Sequence, residues 1–268
     1  MKTILLMVHD DPGQEARLQC ALDIARATNG HLLCLDLVRI PVVVDAYGAG
    51  IGAQATVLTV ERDREDRNIH RLQQRLEGEG VSHEWQRAQG DFGHSLAEAA
   101  RLVDLVVMSS KGAPGLIDQG DLPGRVAQSV TAPILVVPPE QRGFDIGGRA
   151  IVGWNGSATA ATSIRAALPL LKRAGSVEIL TIEGGDTPAN PDHAARYLAR
   201  HGCQVTAEVV ARTGDSGRAV STQLRDALFA ADWGVIGSYG HGRLRERLFG
   251  GTTWTLIEET PVPLVIAH

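Results

Sequence analysis

The sequence predicts an α/β protein built from two doubly wound parallel sheets in tandem, each five-stranded and covered by helices on both faces. Three observations lead there. Apolar, strand-like runs alternate with helical stretches of roughly 10 to 15 residues along the chain. The whole series is written twice, the second copy starting near Arg149. Between the copies lies "PPEQRGFDIGG", Pro138 to Gly148, where proline, glycine and charge replace any apolar period. The expected units are therefore 1–140 and 147–268. Their last strands, "PILVVP" and "PLVIA", are expected to meet as a pseudo-dimer, since each is apolar and otherwise leaves an open sheet edge.

Taken in order, "TILLMVHD" (Thr3 to Asp10) is echoed by "RAIVGWNG" (Arg149 to Gly156), an apolar run that breaks at a polar turn. A helix follows each: Ala16, Leu18, Ala21, Leu22, Ile24 and Ala25 recur at helical spacing in the first copy, and Ile164, Ala167, Leu168, Leu170 and Leu171 in the second. The second strands are "HLLCLDLV" and "SVEILTI"; "VSHEWQRAQGD" then answers "CQVTAEVVARTGD", and "DLVVMSS" answers "DWGVIGS". "SVTAPILVVP" and "EETPVPLVIAH" close the copies. The first copy carries a longer insert before its third strand, over 39–80, which reads as a lid or packing helix.

Composition narrows the function. Over 268 residues, 44% hydrophobic and 21% charged residues are ordinary globular usage, and a net charge of −5 gives no broad basic surface for nucleic acid. The apolar runs fall short of the roughly 20 residues of a membrane helix, and acidic residues follow "MKTILLMVHDD" too early for a secretory signal, so a cytoplasmic protein is expected. Cys20, Cys34 and Cys203 lack any C-x-x-C pair and read as reduced, buried thiols; His193, His201 and Cys203 match no familiar zinc spacing.

The stretch with most chemistry is "GSYGHGRLRERLFGGTT", 237–253. In an open parallel sheet, ligands lie beyond the carboxyl ends of the strands where strand order reverses. Gly237 ends a core strand at such a place; Gly240 and Gly242 can turn backbone N–H groups into a shared concavity suited to phosphate oxygens. Gly250 and Gly251 precede a helix start whose free N–H groups and dipole face the same anion, Thr252 and Thr253 add hydroxyls, and His241 and Arg243 add positive charge.

Gly237-x2-Gly240-x9-Gly250, followed by a Gly/Thr helix start and "PVPLVIAH", resembles the nucleotide-binding signature of the universal stress protein family. The repeat makes the resemblance one to a tandem member, with Rossmann-like domains of the adenine nucleotide alpha-hydrolase type. The resemblance implies that Gly237, Ser238 and Gly240 line ribose and phosphates, and that Gly250, Gly251, Thr252 and Thr253 hold the phosphate tail of ATP. Backbone groups near Ile182 and Glu183 would meet adenine, with Trp154 as an apolar wall. The family's first-strand aspartate falls on Asn155, which hydrogen-bonds but brings no charge for magnesium, and its serine after the third glycine falls on Gly251.

The same alignment impairs the first copy. Ser109, Gly112 and Gly120 stand for the glycines, with seven residues between the last two instead of nine, and Asp121 and Pro123 occupy the helix start. A carboxylate repels phosphate and proline removes a donor, so no nucleotide is expected there. Its first-strand position is His9, and "HDD" (His9 to Asp11) reads as a solvated turn with a helix N-cap rather than a metal triad. Gly48, Gly50 and Ala53 of "GAGIGA" satisfy a dinucleotide fingerprint by letter, but no clear helix opens there, and a mobile glycine-rich segment is expected.

No nucleophile elbow, P-loop or paired metal-spaced histidines occur. The expected function is a cytoplasmic, stress-responsive protein that binds an adenine nucleotide in its second half, with no catalytic residue and at most slow hydrolysis. A partner-binding scaffold with empty pockets and an adenine-nucleotide hydrolase are the rivals. A homodimer of chains stays open, as do the protein partners.

Overall fold

The computed structural model describes residues 1–38, 51–89, 92–111, 122–183, 189–214, 217–237 and 256–268. In the first half, strands β1 (Thr3–Val8), β2 (His31–Val38), β3 (Ser82–Gln89), β4 (Leu105–Ser109) and β5 (Ile134–Val137) alternate with α1 (Gln14–Thr28), α2 (Ile51–Gly78), α3 (Phe92–Ala99) and α4 (Leu122–Ser129). In the second, β6 (Arg149–Gly153), β7 (Ser176–Ile182), β8 (Val205–Val210), β9 (Trp233–Gly237) and β10 (Leu264–Ala267) alternate with α5 (Ala158–Leu171), α6 (Asp192–Arg200), α7 (Gly217–Leu228) and a helical turn over 256–259.

The strands form one ten-stranded sheet in the order β3-β2-β1-β4-β5-β10-β9-β6-β7-β8. All neighbours are parallel except β5 and β10, which run antiparallel with Leu135 opposite Val265. The two five-stranded sheets expected from sequence are thus fused through their last strands, whose backbone groups saturate one another instead of ending in open edges.

Period-two alternation sets the layers. Ile4, Leu6 and Val8 turn to the face carrying α1, α2, α5 and α6, whereas Leu5 and Met7 turn to the face carrying α3, α4, α7 and the 256–259 turn. Each such buried aliphatic contributes about 1.5–3 kcal/mol. The helical positions read from sequence, Ala16, Leu18, Ala21, Leu22, Ile24 and Ala25, are all buried. α1 stops at Asn29, whose left-handed φ of +48° asparagine tolerates.

A small device is repeated in both halves. Asp104, just before β4, takes the N–H groups of Lys2 (2.5 Å) and Thr3 (3.0 Å) on Oδ2 and donates its own N–H to Thr3 O. Asp232, just before β9, does the same with Arg149, at 2.6 Å and 2.9 Å. Each aspartate thereby ties the start of a fourth strand to the start of a first. The linker is packed as well: Phe144 is buried against Trp233, ring centroids 5.5 Å apart, and its N–H donates to Asp23 of α1 at 2.8 Å.

One expectation fails here. A helix does open beside "GAGIGA": α2 begins at Ile51 and runs 28 residues as the packing helix of the insert. The sequence reads the insert as a lid or packing helix but does not place its start; the apolar signal is sparse, Leu72 and Leu76 being the only residues of the second half of α2 that both read as apolar and lie deep in the core. Gly48 and Gly50 lie outside the described residues.

Candidate functional site

β6 lies between β7 and β9, so the carboxyl ends of these three strands sit side by side where the strand order of the second half reverses. Trp154 and Asn155 follow β6, Ile182 ends β7 with Glu183 after it, and Gly237 ends β9. These five predicted residues are brought to one edge of the sheet. The other nine, Ser238, Gly240, His241, Gly242, Arg243, Gly250, Gly251, Thr252 and Thr253, lie outside the described residues.

Gly237 is required by sterics. A Cβ there would stand 2.6 Å from Ala160 N and 2.9 Å from Ala160 Cα and Thr159 C, all backbone of α5's first turn. The end of β9 therefore presses against that turn. Ser157 caps α5, its Oγ accepting from Ala160 N at 3.1 Å. Asn155 is exposed and its Oδ1 accepts from Ser157 N (3.1 Å), which leaves its Nδ2 toward solvent as the group it offers. Gly156 makes the turn between them with φ +74°. Half-buried Trp154 donates its backbone N–H to Leu180 O (2.9 Å) and its indole N–H to Asn190 O (3.1 Å), so its ring is fixed across the ends of β6 and β7. Glu183 is exposed and spends its N–H on Val210 O (2.9 Å). That amide is thus withdrawn from the adenine contact expected of it. Ile182, by strand alternation, turns its backbone groups the other way, past the end of β6.

The corresponding edge of the first half is built differently. Leu6 faces Val107 as Val152 faces Val235, so Ser109 corresponds to Gly237 and His9 to Asn155. Ser109 Oγ accepts from Arg17, a fully buried arginine of α1. The same guanidinium donates to both oxygens of Asp11 at 2.9 Å, to Met7 O and to His9 O at 3.1 Å. Within the "HDD" turn His9 and Asp10 stay part-exposed, but the Asp11 side chain is only 6% exposed as the partner of Arg17, and Asp11 is no N-cap, since Gly13 holds the cap position. Pro123 is buried in the first turn of α4. Gly112, Gly120 and Asp121 lie outside the described residues.

Sequence reasoning missed Arg17 and the polar face of α2, where Glu65 (8% exposed) meets His9 Nδ1 at 2.7 Å. Both sit in charged stretches that read as surface. All three cysteines are free and buried, burial pushing the Cys34 thiol up to about 12, which leaves it an inert core residue. Among the described residues no three of His, Cys, Asp and Glu converge as a metal site, and no helix is long and apolar enough to cross a membrane.

Fold and strand-end geometry define a doubly wound α/β protein with its candidate cleft at a topological switch point. The sequence model of the universal stress protein family matches residues 1–138, and the chain belongs to that family. A curated relative, universal stress protein Slr1230 of Synechocystis sp., is 25% identical over 177 residues, 60% of this chain; the chain spans 57% of that relative's length. A universal stress protein from Archaeoglobus fulgidus has the same fold, with TM-score 0.75 at 17% identity over 99% of this chain and 95% of its own. A structure of a universal stress protein from Pseudomonas aeruginosa gives 0.59 at 15% identity over 100% and 93%.

Proposed function

We propose that this chain carries two family domains, 1–140 and 147–268, and holds ATP or a related adenine nucleotide at the strand ends of the second while the first takes none. The observation that carries this reading is the contrast between Gly237 and Ser109. The second half keeps the end of β9 bare against α5's first turn, so backbone N–H groups after Gly237 can approach phosphate oxygens. The first half fills the matching place with Ser109, Arg17 and Asp11.

In the second half, Ile182 offers a backbone donor and acceptor to the edge of adenine, Trp154 a wall for its ring, and Asn155 Nδ2 a donor to a ribose hydroxyl. Ser238, Gly240 and Gly242 line the phosphates, with Gly250, Gly251, Thr252 and Thr253 on the tail and His241 and Arg243 supplying charge. Asn155 cannot neutralise a magnesium ion, so magnesium rides on the phosphates if it binds. The sequence carries no motif for a general base over the phosphates, so hydrolysis is expected to be slow and the role to be a cytoplasmic, nucleotide-dependent response to stress.

Calorimetric titration with ATP, with and without magnesium, tests this. One site per chain is expected, lost in Gly240→Asp with an unchanged circular dichroism spectrum. Two sites per chain, or no heat with any adenine nucleotide and none released from the purified protein, overturns it. Release of AMP or pyrophosphate far above background would instead make the protein a hydrolase.

A further inference from the structure

β8 is the last strand on its side of the ten-stranded sheet, paired with β7 and with no further strand beyond it among the described residues. Which of its backbone groups are spare follows from the register. Val177 N donates to Gln204 O (2.8 Å) and Glu183 N to Val210 O (2.9 Å), with Val177 opposite Val205 and Thr181 opposite Val209. A parallel ladder engages alternate residues of a strand. Gln204, Thr206, Glu208 and Val210 therefore bond to β7, whereas Val205, Ala207 and Val209 turn their N–H and C=O groups to the open edge. Thr206, Ala207, Glu208 and Val209 are all exposed, Val209 by 49%.

Such an edge is normally guarded by charge, lysine above all, or by proline. β3, at the other end of the sheet, carries His83, Glu84 and Arg87, and Arg87 is tied down to Asp36 (2.6 Å) and to Asp66 of α2 (2.5 Å). β8 has the single charge of Glu208 and neither lysine nor proline. Its sequence is also its own complement. Val205 packs with the core cluster under α5 and α6 and Val210 with the cluster under α7, so Val205, Ala207 and Val209 share one face and Thr206, Glu208 and Val210 the other.

We propose that β8 is a docking edge for a second copy of this chain, pairing antiparallel with the partner's β8 about a two-fold axis at Ala207. In that register Ala207 exchanges two backbone hydrogen bonds with the partner's Ala207, and Val205 exchanges two with the partner's Val209 on either side of the axis. The valines cover each other on one face. On the other, the Thr206 hydroxyl stands opposite the partner's Glu208 and can donate to its carboxylate. Moving the axis to Glu208 sets two carboxylates directly opposite each other, which disfavours that register. The same device already joins the halves within the chain, where β5 and β10 pair antiparallel with Leu135 opposite Val265.

Sedimentation velocity on the full chain tests this, over loadings from low micromolar to several hundred micromolar. Interfaces under about 1,200 Å² form the weak, transient class, so the sedimentation coefficient should climb from monomer toward dimer across that range. Ala207→Pro removes an outward N–H, leaves the β7 ladder whole and should weaken dimerisation by about tenfold or more. Thr206→Glu sets a carboxylate against the partner's Glu208 and should weaken it likewise without altering the backbone, which keeps the test intact should the proline variant not fold. Joining Thr206→Glu with Glu208→Lys turns that repulsion into attraction and should restore the dimer. A chain monomeric at every loading overturns the proposal and leaves the edge to a strand of another protein. A dimer of unchanged strength in folded Ala207→Pro or in Thr206→Glu, or a double variant no stronger than Thr206→Glu alone, overturns it as well, since the seam then lies elsewhere.

Discussion

The buried arginine of the first half gives the sharpest stability prediction. Arg17 is 0% exposed, and its five N–H groups are matched by five acceptor contacts: two to Asp11, and one each to Met7 O, His9 O and Ser109 Oγ. Arg17→Met keeps much of the volume but removes every donor. Asp11, 6% exposed, then keeps a charge with no counterion, and two backbone carbonyls lose a donor each. Breaking a buried pair from one side costs about 3–5 kcal/mol, a large share of the roughly 5–15 kcal/mol that holds a domain folded. With a urea slope of about 2–3 kcal/mol/M, the midpoint should fall by about 1–2 M. Arg17→Met with Asp11→Leu should recover most of the loss, because the charge is removed together with its partner. A single-variant loss under about 1 kcal/mol, or a double variant no better than the single one, would show that the pair does not hold this edge together.

Other outcomes follow from the same geometry. Gly237→Ala puts a methyl against backbone that cannot rotate away, so a loss of about 1–3 kcal/mol is expected in the melting of the second half. Ser157→Ala removes the α5 cap bond and should cost about 1 kcal/mol by denaturant titration. Asp104 loses some of its acidity to burial, but the N–H groups of Lys2 and Thr3 and the amino terminus outweigh this and hold its carboxyl below the ordinary value. Its contribution is present above the unfolded value and lost as pH falls through the folded one. Asp104→Asn should therefore cost about 1 kcal/mol near neutral pH, and the difference from wild type should shrink on acidification.

Legibility of the fold from sequence followed the local signal. β2 and β7 coincide with "HLLCLDLV" and "SVEILTI", because an apolar run between turn residues is a property of neighbours along the chain. That β5 and β10 meet was legible for a similar reason, since two apolar last strands need each other; their antiparallel sense was not. Arg17 was not: it sits one residue after Ala16 in a helix that reads as amphipathic, and its burial becomes tolerable only once the fold aims Asp11, the carbonyls of Met7 and His9, and Ser109, 92 residues on, at one guanidinium. Asp36 hid in the same way, its partner Arg87 lying beyond the insert, 51 residues on. At the candidate site, strand end and glycine were legible at Gly237, but the reason for the glycine, α5's first turn, is a contact that no local pattern contains.

The two strand ends solve one steric problem in opposite ways, and that can be tested directly. In both halves the end of the fourth strand and the opening turn of the first helix approach so closely that one of them carries a glycine. In the second half the strand gives way, with Gly237 facing Thr159 and Ala160; in the first the helix gives way, with Gly13 facing Ser109. A Cβ on Gly13 would lie 2.3 Å from Ser109 Oγ, yet its φ of −89° suits any residue, so the objection to alanine is contact alone. Ser109 Oγ cannot simply rotate aside without leaving Arg17. Gly13→Ala should cost about 1–3 kcal/mol. Ser109→Gly costs the Arg17 hydrogen bond, about 1 kcal/mol. The double variant should be more stable than the two losses predict when added, by a coupling of about 1 kcal/mol or more in a denaturation cycle. Additive losses would mean that the two residues do not compete for the same space, and the contrast between the halves would lose its steric basis.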